Sequence, residues 1–281
     1  MTKKLLLALG LTAVSLQADK TDIGISYGLH DMFVTNITPS SLHSGGTSHT
    51  LGLNVGFFVE RTTDSDIHIG GGVDVYLDHD KDHLDPDHIP IWFKFKVFSY
   101  GPIYTMTDSL SFQWLVDLRN RQNTASGVER EIKNMYGIGF DYSPNSFHLA
   151  LNTYGGFFYL EIDDDAPSQY ANYDRDALGL GTTAVSFMLD TRWDMTENFT
   201  ILGYAQNWSS VGIGKGWLEN EFVAEINYAT DGWIDKSKLH LRATHTQYNI
   251  DKFYKEDIGI PILPWDNETL VRAYMTIPWE N

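Results

Sequence analysis

The segment Asp66–Phe98 constrains the fold most. It holds two alternating runs around a polar tip. In the first, Ile67, Ile69, Gly71, Val73, Val75 and Leu77 share one face, and His68, Gly70, Gly72, Asp74, Tyr76 and Asp78 the other. In the second, Ile91, Phe93, Phe95 and Val97 alternate with Trp92, Lys94, Lys96 and Phe98. A period of two predicts strands, because successive side chains of an extended chain point to opposite sides. Both runs exceed the usual strand of about 5–6 residues. The segment is therefore a long amphipathic hairpin with a charged tip.

The same pattern recurs along the chain. Alternation predicts twelve strands, at about 21–34, 47–61, 66–78, 91–104, 110–121, 131–142, 147–162, 177–193, 199–210, 217–228, 239–250 and 267–279. In the eighth, Leu178 and Leu180 are out of phase with Val185, Phe187 and Leu189, which predicts a bulge near Thr182-Thr183. The phase of the ninth is ambiguous. Connections after even-numbered strands are mostly short, such as that at Pro144-Asn145, and those after odd-numbered strands are mostly longer and more acidic. Aromatic residues gather near strand ends: Tyr27, Tyr100, Tyr104, Tyr142, Tyr159, Trp193, Trp217, Tyr228 and Trp279.

Residues 1–18 have a different character. Lys3 and Lys4 precede an apolar run, Leu5 to Leu16, and Ala18 stands before Asp19. This is the pattern of a signal peptide, which leaves 19–281 as a single domain. No later stretch has the roughly 18 apolar residues that a membrane helix needs. The formal charge of −17 argues against nucleic acid as a partner. There is no cysteine, so neither thiol chemistry nor a disulfide framework is available.

These features together predict an all-β, antiparallel transmembrane β-barrel of about twelve strands, with short periplasmic turns and longer extracellular loops. A soluble β-sandwich would also alternate. The signal peptide, the strand lengths and the two kinds of connection favour the barrel. In this pattern the mature chain resembles the Gram-negative outer-membrane β-barrel superfamily. That resemblance implies an outer-membrane location, with lipid and lipopolysaccharide around the wall. Twelve-stranded members include nucleoside and acidic-sugar channels, a phospholipase and a lipid A deacylase, and no motif assigns this chain to one of them. Members typically end in Phe after an alternating segment. Here Val271–Trp279 alternates, but Glu280 and Asn281 follow.

Three places could carry function. The first is the lumen. The phase turns Asp74, Lys94, Lys96, Asp117, Arg119, Arg121, Glu219, Glu221, Glu225, Arg242 and Arg272 inward. These charges either pair and stiffen the barrel or form opposed ladders along a selective path for a small solute or ion. Asp74 is expected to meet Lys94 or Lys96, Asp117 to sit beside the lysine strand, and the three glutamates to lie near Arg242. The second is the tip, where His79, Asp80, His83, Asp85, Asp87 and His88 could bind a divalent cation. Their spacing matches no structural zinc or calcium pattern, so a solvated acidic loop is the competing reading. The third is a lipid-hydrolysing site drawn from His43-Ser44, Ser48-His49 and His245. No G-x-S-x-G motif supports it.

The expected function is therefore a porin-like channel for passive diffusion through a charged lumen. The alternatives are a lipid-modifying barrel enzyme, or a closed barrel that binds an ion or partner through its acidic loops.

Overall fold

The computed structural model describes residues 20–35, 47–78, 91–122, 128–162, 179–212, 216–230, 232–249, 254–255, 260–261 and 266–279. The segment 1–18, the tip histidines and aspartates 79–88, and His43-Ser44 lie outside the described residues.

Twelve strands close into one antiparallel barrel. They are β1 (Lys20–Thr35), β2 (Thr47–Thr62), β3 (His68–Asp78), β4 (Ile91–Thr107), β5 (Leu110–Gln122), β6 (Val128–Tyr142), β7 (Phe147–Ile162), β8 (Gly179–Thr196), β9 (Phe199–Ser210), β10 (Gly216–Ala229), β11 (Lys238–Tyr248) and β14 (Asn267–Trp279). Two short pieces, β12 (Tyr254–Lys255) and β13 (Ile260–Pro261), pair with each other outside the wall. Each strand of the wall is hydrogen-bonded to the wall strands before and after it in sequence, and β1 closes the circle against β14 from Ile23↔Trp279 to Thr35↔Asn267. Closure leaves no unpaired edge, as a wall in lipid requires.

Alternation separates the two faces. Leu53, Ile138, Leu151, Phe187 and Leu241 point outward, each about half exposed. So much uncovered apolar surface needs an apolar surrounding phase. Aromatic side chains ring the short-turn end of this belt, among them Tyr104, Tyr142, Trp193, Tyr228 and Trp279. Tyr100 is not one of them: it lies flat against His68, ring centroids 4.5 Å apart, on the inner-facing phase of β3 and β4. The turn at Pro144-Asn145 forms as expected. Asn145 takes a left-handed φ of 50°, which its short polar side chain tolerates.

The eighth strand differs from expectation. Its ladder with β7 runs without a shift through Phe158↔Thr182 and Phe157↔Thr183, so no bulge lies there. Leu180 is out of phase because it faces inward, opposite the buried Leu160. The barrel interior near the loop end is partly apolar, so a leucine is accommodated on either face. Register shifts occur elsewhere, including one at Pro102/Tyr104, where proline supplies no N–H to the ladder. The phase of β9 resolves with Gln206, Trp208 and Ser210 buried inside.

Candidate functional site: a charged lumen with two opposed walls

Two rungs of the ladder build one side of the lumen. Asp74, Lys94, Arg121 and Glu131 stand side by side on β3, β4, β5 and β6. One rung nearer the short turns, Lys96, Arg119 and Lys133 do the same on β4, β5 and β6. Five cations therefore share three adjacent strands. Opposite them, β10 carries Glu219, Glu221 and Glu225, and β14 carries Glu268. A basic wall faces an acidic one.

Ion pairs cross the space between them. Arg119 Nη1 donates to Glu221 Oε1 at 2.8 Å, from β5 to β10, five strands apart around the wall. Arg121 Nη2 donates to Glu268 Oε2 at 2.7 Å, also over five strands. Lys133 Nζ sits between Glu131 at 2.7 Å and Glu219 at 2.5 Å. The Arg119 Nε and Nη2 groups hold Asp117 on the same strand. Removing these charges from water is costly, and pairing plus hydrogen bonding offsets that cost.

The remaining inward residues pair in ways that local spacing does not suggest. Asp74 stands directly opposite Lys94 in the ladder, yet its carboxylate accepts two hydrogen bonds from Arg272, at 2.9 and 3.0 Å. This replaces the expected Asp74–lysine pair. The planar guanidinium suits a carboxylate better than a single ammonium does. Of the three glutamates expected near Arg242, only Glu225 bonds to it, at 3.2 Å, and it also meets His240 at 2.8 Å. Among the described residues, neither Lys94 nor Lys96 forms an ion pair. Their ammonium groups lie 5.7 Å from the Trp92 ring and 5.4 Å from the Phe98 ring.

An aromatic layer adjoins the charges. Tyr76 and Trp92 stack at 3.7 Å, both fully buried. The Trp92 indole N–H donates to Asp78, which is also 2.7 Å from His30 Nε2. Arg121 and Arg272 lie over these rings, a cation–π arrangement strengthened by exclusion of water. Between the charged walls remains a cavity of about 240 Å³, bordered by Lys94, Lys96, Arg119, Glu221, Arg242 and Arg272. All eleven inward charges named from the sequence lie on the inner face. Glu131, Lys133 and Glu268 belong to the same network, and the alternation of β6 and β14 would have placed them there.

Among the described residues, the candidate histidines His49 and His245 assemble no hydrolytic centre. His245 faces outward on β11, its Nδ1 2.8 Å from Thr269 Oγ1. His49 faces outward on β2 against Asp31. Ser143, His148 and Asp141 come together at a short turn, but both partners meet the same His148 nitrogen, Nδ1. At His148 a base oriented through one nitrogen and acting through the other is therefore not formed. Among the described residues, no group of three or more His, Asp or Glu could hold a metal ion.

A closed wall, an apolar exterior and a charged interior decide the architecture. The chain is a membrane-type β-barrel. No family model and no curated protein matches it. Among solved structures it is similar to a KdgM porin in complex with disordered oligogalacturonate, with 8% identity and a TM-score of 0.45, over 92% of this chain and 99% of that one. It is also similar to an anion-selective porin from Comamonas acidovorans, with 8% identity and a TM-score of 0.43, over 93% and 100%. A third is the outer-membrane channel DcaP of Acinetobacter baumannii, with 11% identity and a TM-score of 0.38, over 94% and 99%.

Proposed function

We propose that the protein is an outer-membrane channel for passive diffusion of small solutes or ions. The observation that carries this reading is the cavity between a basic and an acidic wall, inside a closed sheet whose exterior is apolar. Charges set across a narrow water-filled passage select by sign and size. A barrel that served only as a scaffold could fill its interior with packed apolar side chains. The apolar belt meets outer-membrane lipid, and the loop end faces lipopolysaccharide. The cross-lumen pairs make the constriction narrow, so the unit conductance is small.

The test is single-channel recording of the refolded protein in planar bilayers. Discrete conductance steps are expected in simple salts. Conductance no greater than that of the bare bilayer in every salt would overturn the reading.

A further inference from the structure

We infer that the cavity is a binding site for a small oxyanion solute, one bearing carboxylate or phosphate, with Lys94 and Lys96 as its principal contacts. The inference rests on the channel reading and adds the sign and chemistry of what enters.

The argument begins with which charges are already engaged. Five inner cations, Arg119, Arg121, Lys133, Arg242 and Arg272, are all held by carboxylates. The carboxylates of the network are occupied in turn. Asp74 is held by Arg272 and Asp117 by Arg119. Glu131 and Glu219 share Lys133. Glu221 takes Arg119 and the Tyr204 hydroxyl, Glu225 takes Arg242 and His240, and Glu268 takes Arg121. Lys94 and Lys96 remain. No carboxylate among the described residues contacts either one.

Position makes this consequential. The two lysines are alternate residues of β4, so both side chains leave the wall on the same side. Both border the cavity, as do Arg242 and Arg272, while the partner of Arg272, Asp74, lies beneath Lys94 in the ladder. A cation entering the cavity meets carboxylates that each already hold a guanidinium or ammonium partner. An oxyanion meets two ammonium groups with free donors. Hydrogen bonds from ammonium to an ionised oxygen are stronger than those between neutral groups. The cavity is small enough that a bound anion lies close to both lysines. Lysine suits a permeating solute, because its flexible stem and point charge hold an anion without the fixed bidentate fit of arginine.

The experiment uses the full chain and two double variants, Lys94→Gln with Lys96→Gln and Lys94→Arg with Lys96→Arg. Heat-modifiable migration in gels establishes that each has folded. Under a KCl gradient the unaltered protein is expected to show a reversal potential set mainly by chloride. The glutamine pair should move it toward potassium, and the arginine pair should retain it. Citrate should block chloride current in the unaltered protein, with an apparent affinity about tenfold or more weaker in the glutamine pair. A potassium-selective unaltered channel overturns the inference and leaves the channel reading intact. So does equal citrate block in the glutamine pair. If no channel opens, the channel reading falls, and calorimetry of citrate with the detergent-held protein decides the site. Binding weakened by the glutamine pair supports it, and binding that is absent or unchanged overturns it.

Discussion

Arg119 and Glu221 join across the lumen at 2.8 Å, although β5 and β10 are five strands apart around the barrel. The pair acts as a crossbeam between the basic and acidic walls.

Shortening both ends of that crossbeam opens the passage. Arg119→Ala together with Glu221→Ala removes both charges, and Asp117 then loses its guanidinium. Single-channel recording should show a larger unit conductance than in the unaltered protein. The single change Arg119→Ala leaves Asp117 and Glu221 without their partner and should also lower stability, by about 3–5 kcal/mol.

Lys133 is nearly inaccessible and serves two glutamates. Lys133→Met should therefore destabilise the barrel by about 3–5 kcal/mol, because buried carboxylates then face each other unneutralised. Urea unfolding in lipid vesicles, followed by tryptophan fluorescence, measures the loss. Adding Glu219→Gln should recover part of it.

The outer belt gives a depth-dependent result. Phe187 lies midway along β8 and is 58% exposed. Phe187→Arg places a cation in hydrocarbon and should cost about 2–4 kcal/mol. His49, near the loop end of β2, already carries a polar side chain paired with Asp31. The corresponding His49→Arg should cost about 0–1 kcal/mol. Equal costs at the two positions would place the belt elsewhere on the wall.

Two glycines provide a contrast within the wall. A Cβ on Gly56 would approach Asp74 Oδ1 and Ser26 Oγ to 2.4 Å. Gly56→Val should strain the Asp74–Arg272 pair and cost about 1–3 kcal/mol. A Cβ on Gly155 meets nothing within 4 Å. Gly155→Ala should be neutral or slightly stabilising in the same unfolding assay.

Much of this architecture was legible from alternation alone. A period of two reports which face a side chain takes, so the inner position of Lys94, Arg119 or Glu221 follows from its neighbours. Contacts across the lumen were not legible. Asp74 lies 198 residues from Arg272. Their meeting depends on the tilt and stagger of a closed sheet, which no local segment encodes. Leu180 breaks the expected phase for a related reason. An apolar residue usually marks the lipid side, but near the loop end the interior also accepts leucine. The stacking of Tyr76 on Trp92 is likewise not legible, because alternation gives the face a ring takes and not its partner on the next strand.

The ladder between β1 and β14 joins Ile23 to Trp279. That pairing makes the hydrogen-bonded wall a ring with no privileged first strand. Cutting the chain at the Pro144-Asn145 turn and linking β14 to β1 would preserve every neighbour relationship around the wall. In the uncut chain, the same ring means that the seam forms by the most distant contacts in the sequence. Its loop-closure entropy is the largest of any strand pair, so insertion of the barrel is complete only when β14 reaches β1.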